Sequence, residues 1–529
     1  MANVLHVPVI SSLFLAILPA VFAVDVLILG AGASGIAAGK HLHDNGVTDF
    51  LILEGSNRIG GRLKEVQFGG KTVEVGANWI QPGDTSVNPL ASLSESLEIA
   101  GNVSAWDSFI FRGQNGENLT DEALSEYPAF ESALDYIYEL AEDLIDNDKP
   151  DMSVRSALHW NPTTPVQKSI EYYDFDFEIA AIPYVTSLKA TATIDGANEI
   201  FVTDQRGFSY VLRSQAETFL EANDTRLLLE KIVTKVEYDD NGVTVTCSDG
   251  SNYTAPYAII TFSIGVLQSD LVEFYPPLPD WKVEEIFQFD MALYTKIFLK
   301  FPDGIEKFWD DEEFILYASS RRGYYTIWQN LEAEGLFEAG TNLLMMTVTG
   351  DESRRVEYET DDQIKSEVMA ILRQVYGNGI PDVEEIMLYR WSQDPLFRGA
   401  FTNWPVEVSR ESHRRLEGNV GRLHFGGEAT DPHWNGYIQA GLFSGEREAR
   451  KIMKCMEGAC EAFSAQIFKR GCTYQVADNY DASATVDDGS CRFTPVTGSS
   501  QSLHNYVFNQ CFLCMYVCCT FLLAFLLAL

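Results

Sequence analysis

Three closely spaced glycines near the start of the chain constrain its fold more than any other feature. They form the pattern Gly-Ala-Gly-Ala-Ser-Gly directly after the apolar run Val24–Leu29. Gly30 allows a tight turn, Gly32 lets backbone N–H groups approach a phosphate closely, and Gly35 lets a following helix pack against the strand. A second apolar run ends in Glu54, about 20 residues further on, where a carboxylate can hold ribose hydroxyls. The spacing predicts a Rossmann-like α/β domain that binds a dinucleotide.

A second glycine-rich segment, Gly55–Arg62, directly follows Glu54 and indicates which dinucleotide is bound. A domain that binds NAD has no need of two arginines and a glycine pair at this position. The segment resembles the one in flavin amine oxidases, which runs beneath the flavin and whose last arginine, here Arg62, meets the pyrophosphate. The resemblance implies FAD as the cofactor.

The resemblance narrows to the secreted, plant-type polyamine oxidases because further blocks match them in the expected order. These blocks are Val75–Trp79, Val202–Gly207, Gly265–Leu271, Met291–Phe301, Tyr317–Tyr325 and Phe401–Pro405. A further segment, Gly426–Thr430, indicates a flavin enzyme together with the first glycine pattern and Val75–Trp79. The match extends from about Val24 to Ile452. It implies oxidation of spermine or spermidine at a carbon beside an amine nitrogen, with molecular oxygen as the second substrate. The expected products are an aminoaldehyde, an amine and hydrogen peroxide.

The resembled fold interleaves two domains, which suits a chain of 529 residues. We expect a Rossmann-like FAD-binding domain at residues 24–90, 227–290 and 400–455, and an α+β substrate-binding domain at residues 91–226 and 291–399. Local patterns add a helix around Ala129–Ile145, a hairpin over Ile232–Cys247 that turns at Asn241-Gly242, and a short strand at Ala258–Thr261.

The resemblance implies roles for several residues around the substrate. Lys296 matches a lysine that contacts a water at the flavin N5 and is assigned as catalytic, although its strand pattern alone would make it an ordinary strand lysine. Trp79, Phe401 and Tyr437 match aromatic positions near substrate and flavin, and Tyr294 is grouped with them. Flat aromatic faces guide an aliphatic chain and attract its cationic nitrogens. Core packing is the alternative role for these aromatic residues.

Two positions correspond to the acids of the family's substrate tunnel. Glu178 matches one of them and is assigned both a catalytic and a substrate-binding role. The other position is Gln81, where plant-type enzymes have an acid. This departure removes a charge that would hold a distal ammonium, so the preferred polyamine and the C–N bond that is cleaved stay open.

The remaining carried-over positions concern the cofactor. Val233 matches a backbone contact to adenine, Trp391 a tryptophan near the flavin ring, and Glu428 a ribityl or pyrophosphate contact. Ala400 stands where monoamine oxidases carry the cysteine that is bonded to flavin, so we expect noncovalent FAD. No metal site is predicted.

Two other functions are alternatives to polyamine oxidation. Another amine or L-amino-acid oxidase of the same fold would need a dedicated arginine for a substrate carboxylate, and no segment of the sequence identifies one. A non-catalytic flavin-binding surface protein would have no use for Lys296 or the aromatic set.

Acidic residues outnumber basic ones 76 to 38. A strongly acidic surface repels nucleic acid and attracts cations, and polyamines are cations. Solubility in a secreted or saline setting explains the same composition equally well.

Both ends of the chain predict passage through the secretory pathway to the outer cell surface. Residues 1–23 read as a signal peptide that ends at Ala23, with an uncleaved anchor as the alternative because basic residues are missing before the apolar run. Residues 498–529 read as a GPI-anchor signal, with a retained transmembrane tail as the alternative. Four Asn-X-Ser/Thr sequons, at Asn102, Asn118, Asn223 and Asn252, agree with this route.

A short Cys-bounded module is predicted at residues 470–492. Cys472 and Cys491 are expected to form a disulfide, since so short a segment cannot build a core. Its acidic residues could bind calcium, but a disulfide-stapled spacer is favoured because their spacing does not fit an EF-hand. Cys455 and Cys460 could also pair, which the sequence leaves open, and Cys247 is expected to be a buried free thiol.

Overall fold

The computed structural model describes residues 21–81, 88–147, 149–191, 198–460, 470–472, 477–480, 486–487 and 491–492. The chain divides into two compact units, residues 1–463 and 464–529. The signal peptide predicted over residues 1–23 lies outside the described residues except for its last three positions, and the anchor signal predicted over residues 498–529 lies wholly outside them.

The described strands are numbered in chain order. They are β1 Val21–Ala23, β2 Val26–Leu29, β3 Phe50–Leu53, β4 Glu65–Phe68, β5 Lys71–Glu74, β6 Trp79–Ile80, β7 Gly101–Val103, β8 Phe109–Gly113, β9 Ile200–Val202, β10 Leu227–Leu228, β11 Val233–Tyr238, β12 Val243–Cys247, β13 Asn252–Ala255, β14 Tyr257–Ile260, β15 Glu273–Tyr275, β16 Asp290–Met291, β17 Tyr294–Lys300, β18 Phe314–Ala318, β19 Ile327–Asn330, β20 Leu343–Thr349, β21 Glu385–Leu388, β22 Thr402–Asn403, β23 Leu423–Phe425, β24 Arg470–Gly471 and β25 Val486–Asp487.

The described helices are numbered in the same way. They are α1 Ala33–Asp44, α2 Pro89–Ser96, α3 Thr120–Asp146, α4 Val154–Ala157, α5 Pro165–Glu171, α6 Phe177–Ile179, α7 Leu188–Thr191, α8 Tyr210–Glu217, α9 Ile264–Leu267, α10 Asp280–Gln288, α11 Gly350–Tyr358, α12 Asp361–Tyr376, α13 Arg410–Glu417 and α14 Ile438–Met456, with a π-helical turn at Tyr172–Asp176 and a 3₁₀ turn at Glu428–Thr430.

The first unit contains the predicted Rossmann-like sheet. Its strand order is β10-β3-β2-β14-β23, and every neighbouring pair is parallel. The strands come from three separate parts of the chain, so the FAD-binding half is discontinuous in sequence as the resemblance implies. The residue boundaries of the two domains stay a prediction.

The central strands of this sheet are buried on both faces. Val26 and Ile28 of β2 pack with helices α1 and α14, whereas Leu27 and Leu29 pack with the sheet β1-β13-β12-β11-β15. Successive side chains of a strand point to opposite faces, and a doubly covered parallel strand therefore reads as an unbroken apolar run. This is the reason that the sequence predicts β2 and β3 well.

A six-stranded sheet, ordered β21-β17-β20-β19-β18-β8, forms the other half of the first unit. Its pairs are antiparallel except for β18 with β8. The long helix α3, expected around Ala129–Ile145, packs beside β8 through an apolar face that includes Phe130 and Ile137. A smaller sheet, β6-β9-β7, lies near the cavity described below.

The predicted hairpin and the predicted Cys472–Cys491 disulfide are confirmed, and the structure also settles the Cys455–Cys460 pairing, which the sequence left open. The hairpin consists of β11 and β12, which pair antiparallel. Cys455 and Cys460 form a disulfide, and Cys247 is buried and free. In the second unit, Cys472 pairs with Cys491, and β24 pairs with β25.

Strand β1 consists of the last residues of the predicted signal peptide and pairs in parallel with β13. Among the helices in the described ranges, none is both long enough and apolar enough to cross a bilayer.

Candidate active site

One cavity of about 470 Å³ lies between the two halves of the first unit. This volume is within the range of ligand-binding pockets in proteins. The cavity is lined by every residue that the sequence assigned to cofactor or substrate, with the exception of Gly35. The glycine turn and the aromatic set therefore share a single space.

The glycine turn after β2 has the geometry of a phosphate cradle. Gly30 adopts φ +121°, and a Cβ there would lie 2.4 Å from Thr261 Oγ1. A Cβ on Gly35 would lie 1.9 Å from Gly30 O, so only glycine lets α1 approach the turn so closely. Gly32 caps α1 without a side-chain hydrogen bond, which leaves N–H groups at this helix end for an anion.

Glu54 closes this end of the cavity. Its Oε2 accepts a hydrogen bond from Ala31 N at 2.7 Å, and its Oε1 accepts from Ser56 N at 2.8 Å. These bonds fix the carboxylate at the end of β3 and leave it lone pairs for hydroxyl groups.

Helix α14 completes the cradle from the C-terminal part of the chain. A Cβ on Gly445 would lie 2.0 Å from Ser34 O, and one on Gly441 would lie 2.9 Å from Ala33 Cβ. Ser444 Oγ also accepts a hydrogen bond from Gly427 N at 2.9 Å. Two glycines one turn apart thus let α14 press against the first turn of α1, a feature that sequence reasoning missed.

Arg62 and Glu428 meet at the centre of the site. Arg62 Nη1 lies 2.8 Å from Glu428 Oε1 and 3.0 Å from Ala400 O. Glu428 also accepts hydrogen bonds from Thr402 Oγ1 at 2.7 Å and Gly436 N at 3.0 Å. Glu428 therefore ties four segments of the chain together, in addition to lining the cavity.

Lys296 is buried, and its ammonium group faces backbone and amide oxygens. Nζ donates to Gly76 O at 2.5 Å and to Asn78 Oδ1, and it lies 5.3 Å from the centre of the Trp79 ring. Burial lowers the pKa of Lys296 to about 7, although the charge of Glu74 opposes the change. Burial likewise raises the pKa of Glu74 to about 8. Lys296 can therefore gain or lose a proton near neutral pH.

The aromatic side chains form a connected wall. Trp79 lies 5.5 Å from Phe201 and 6.0 Å from Phe177, and Tyr294 lies 6.0 Å from both Phe177 and Phe401. Trp391 also lines the cavity and donates from Nε1 to Val75 O at 3.1 Å. Phe177 and Trp106 also line the cavity, and neither was predicted from the sequence.

Glu178 and Tyr437 are brought together across the cavity. Tyr437 OH donates to Glu178 Oε1 at 3.1 Å. Burial raises the pKa of Glu178, and the hydrogen bond from Tyr437 opposes this shift. The pair places an acid and a phenol beside the aromatic wall.

An acid that sequence reasoning missed lies next to Gln81. Gln81 Nε2 donates to Glu199 Oε1 at 3.2 Å, and both residues line the cavity. The carboxyl group that is absent at position 81 is thus present on its neighbour Glu199. The one sequence signal was an acid three positions before the matched block that begins at Val202.

Unpartnered polar atoms indicate that the cavity is built for a ligand. Within the described residues, buried Asn78 Nδ2 and Asn435 Oδ1 have no hydrogen-bond partner, and both residues line the cavity. Buried polar groups are nearly always paired in proteins. Together with the glycine cradle, Glu54 and Arg62, they fit a large polar cofactor such as a flavin dinucleotide.

The comparisons with known proteins agree with this geometry. The chain matches the family of flavin containing amine oxidoreductases over residues 33–453. The chain belongs to this family. This flavin amine oxidase is 39% identical over 483 residues to polyamine oxidase 1 of Zea mays, which covers 86% of this chain and 93% of that protein. It is 40% identical over 445 residues to polyamine oxidase 7 of Oryza sativa subsp. japonica, with 79% and 93% covered.

Among solved structures, a putrescine oxidase with bound putrescine has the same fold. The TM-score is 0.64 at 18% sequence identity, and the match covers 82% of this chain and 100% of the other. The predicted fold class is confirmed, and FAD is the cofactor of this flavin amine oxidase. Bound flavin supplies the redox chemistry, since it accepts hydride equivalents from a carbon beside an amine nitrogen and passes them to oxygen.

Proposed function

We propose that this flavin amine oxidase acts on polyamines of the spermine and spermidine class. It oxidises a carbon beside an amine nitrogen and, with oxygen and water, yields an aminoaldehyde, an amine and hydrogen peroxide. The observation that carries the proposal is a cavity that combines an aromatic wall with the carboxylates of Glu178 and Glu199. Such a cavity suits a flexible aliphatic chain with several cationic nitrogens. The names of the plant relatives support the same substrate class.

Residue roles follow from the chemistry of each position. Lys296 exchanges a proton at the reacting end of the cavity, and Glu178 and Tyr437 hold a substrate nitrogen. Gly30, Gly32, Glu54 and Arg62 hold the dinucleotide. Val233, Trp391 and Glu428 complete the cofactor's surroundings, and Trp79, Gln81, Tyr294 and Phe401 enclose the substrate.

An amino-acid oxidase is a weaker candidate. Among the described residues that line the cavity, Arg62 is the sole arginine, and it is engaged with Glu428. Among these lining residues, a substrate carboxylate would therefore find no arginine that is free to bind it.

The test is hydrogen peroxide release from the purified full-length enzyme with spermine, spermidine, acetylated polyamines and simple monoamines. We expect turnover of at least one polyamine with a kcat/KM well above that for monoamines. A monoamine preference, or turnover of L-amino acids alone, would contradict the proposal.

We further propose that the enzyme is a secreted glycoprotein held at the outer cell surface by a GPI anchor. Three of the four sequon asparagines are exposed, and Asn252 is half-buried. Disulfides such as Cys455–Cys460 are typical of oxidising compartments. Treatment of intact cells with a glycosidase should lower the apparent mass, and a phosphatidylinositol-specific phospholipase should release the enzyme. Retention after that treatment would favour a tail helix.

A further inference from the structure

The block Tyr317–Tyr325 lies entirely within the described ranges and matches the family, yet none of its residues lines the cavity. It extends from the end of β18 into the turn that precedes β19. One side chain of this turn, Arg322, contacts the π-helical turn at Tyr172–Asp176. The block therefore meets the cavity indirectly, through a neighbouring element.

Arg322 binds two buried carboxylates at the π-helical turn. Its Nη1 and Nη2 donate to the two oxygens of Asp176 at 2.7 Å and 2.6 Å, which is the bidentate geometry of an arginine fork. Nε donates to Glu171 Oε1 at 3.1 Å, and the other oxygen of Glu171 accepts from Arg155 at 2.5 Å. Asp176 is 2% exposed and Glu171 is fully buried. Burial raises the pKa of Asp176 to about 6, and the bonds from Arg322 oppose this shift.

The turn that Arg322 binds directly precedes two residues of the cavity. A π-helical turn accommodates one residue more than an α-helical turn, so it rotates the residues that follow by about 100°. Phe177 and Glu178 follow it on α6, and both line the cavity. Ala180 N donates to Asp176 O at 2.9 Å, so Asp176 is bonded to the end of α6 as well.

The contacts of these two residues depend on the orientation of α6. The Phe177 ring lies 6.0 Å from the rings of both Trp79 and Tyr294, so it joins two parts of the aromatic wall. Glu178 accepts a hydrogen bond at 3.1 Å from the hydroxyl of Tyr437, which precedes α14. A rotation of α6 would move both side chains away from these partners.

We propose that Arg322 is a positioning residue for amine oxidation, which acts through Asp176 on the orientation of Phe177 and Glu178. It is not among the described residues that line the cavity, so its effect reaches a bound amine through α6. The inference rests on the proposed function, because it takes the cavity as the place where an amine binds. Lysine keeps the charge of arginine but has no planar fork for both oxygens of a carboxylate. Arg322→Lys should therefore keep the buried charges balanced and still loosen the turn.

The experiment measures amine binding without turnover. Full-length holoenzyme is reduced with dithionite and kept anaerobic, so that no amine is oxidised, and diaminooctane is titrated by calorimetry. We expect Arg322→Lys to retain FAD and to weaken diaminooctane by about tenfold, in the range of coupling between residues of one network. The control is Arg321→Lys, because Arg321 lies in the same turn, its side chain is 56% exposed, and it pairs with Glu352 instead. This control should leave the affinity unchanged.

Double variants distinguish positioning from a general loss of stability. Arg322→Lys is combined with Phe177→Leu and, separately, with Glu178→Gln. If Arg322 acts through these side chains, at least one combined loss of affinity should be clearly smaller than the product of the two single losses.

Three results would overturn the proposal. The first is an affinity of Arg322→Lys equal to that of the wild type, even if its unfolding temperature falls. The second is a pair of double variants in which the single losses multiply in both cases. The third is loss of FAD from Arg322→Lys, because Arg322 would then act on the cofactor. Failure of the proposed function would appear separately, as a wild-type enzyme that releases no peroxide with spermine or spermidine.

Discussion

At the scale of single residues, Lys296 differs from the other lysine of its strand. Both lie on β17 and are buried, but Lys300 pairs with Asp303 at 2.5 Å, whereas Lys296 faces oxygens at the cavity. Burial lowers the pKa of Lys296 to about 7, although the charge of Glu74 opposes the change. The two lysines lie on the same strand, so the neighbours of each side chain determine what that side chain can do.

We expect Lys296→Met to retain FAD but to slow flavin reduction or reoxidation by about tenfold or more, as loss of a positioned acid or base typically does. The wild-type rate should change through pH 7, because the neutral form of Lys296 increases as pH rises past its lowered pKa. In Lys296→Met the rate should not change in this way near pH 7. Stopped-flow measurements of the two half-reactions from pH 6 to 9 check this, with Lys300→Met as the control. If the rate of Lys296→Met still changes near pH 7, the titration belongs to another group.

The sequence identified individual residues well where they belong to contiguous motifs. Gly30, Gly32 and Glu54 were found because their spacing follows directly from the strand–turn–helix geometry. Lys296 and Tyr437 required the family resemblance, since nothing in their local pattern distinguishes them from core residues. Glu199 was missed because its place beside Gln81 depends on the pairing of β6 with β9, and the register between two distant strands cannot be predicted from either strand alone.

At the scale of elements, the contact between α1 and α14 determines whether the cofactor cradle can form. We expect Gly445→Ala to push α14 from Ser34 O, since its Cβ would lie 2.0 Å from that atom. The purified variant should contain less FAD per chain and unfold at a lower temperature. Glu446→Ala serves as the control, because Glu446 is the adjacent residue and its side chain is 46% exposed. Full flavin content in Gly445→Ala would show that the helices can separate without harm.

Helix α14 also carries a buried carboxylate that links it to β23. Glu448 Oε2 lies 3.2 Å from His424 Nδ1, and Oε1 lies 2.7 Å from Arg447 Nε and 3.0 Å from Lys451 Nζ. Burial alone would raise the pKa of Glu448, but these partners outweigh it and lower the pKa to about 2. The folded pKa is below the ordinary value of 4.5, so the stabilisation is present above pH 4.5 and is lost as pH falls towards 2.

Glu448→Gln should therefore lower the free energy of unfolding by about 3–5 kcal/mol at pH 7, as for other broken buried pairs. The difference from wild type should shrink below pH 4.5, because wild-type Glu448 then loses its advantage as well. Urea unfolding at pH 7 and pH 3 measures both values, and Glu446→Gln is the exposed control on the same helix. A constant difference at the two pH values would contradict the assigned cause.

The sequence predicted some strands of the molecule and not others. Strands β2 and β3 and the β11–β12 hairpin follow from apolar runs and a turn signal. The six-stranded sheet did not, because β8 pairs with β18 across about two hundred residues, from Phe109 to Phe314. The periodicity of a sequence does not show which distant strands pair. Only the family resemblance therefore implied the half of the first unit that contains the six-stranded sheet.

At the scale of the whole molecule, the cavity joins parts of the chain that are far apart in sequence. Arg62, Ala400 and Glu428 meet within hydrogen-bonding distance, and each belongs to a different segment. A cofactor that contacts all of these segments binds only the folded chain. Cofactor binding and folding should therefore be coupled.

This coupling gives the last prediction, which concerns how FAD is held. Ala400 lines the cavity, offers no thiol for a covalent link to flavin, and accepts a hydrogen bond at its carbonyl from Arg62 at 3.0 Å. Acid precipitation should therefore leave all of the flavin in the supernatant.

Removal of FAD should lower the unfolding temperature of the enzyme. Added FAD should raise it again in proportion to the logarithm of the FAD concentration, because a ligand that binds only the folded state stabilises it by RT ln(1 + [L]/Kd). Glu54→Ala should require more FAD for the same unfolding temperature, since it removes the carboxylate that we propose as the partner of the ribose. Yellow precipitated protein would refute noncovalent binding. An unfolding temperature that does not change with FAD concentration would refute the coupling between cofactor binding and folding.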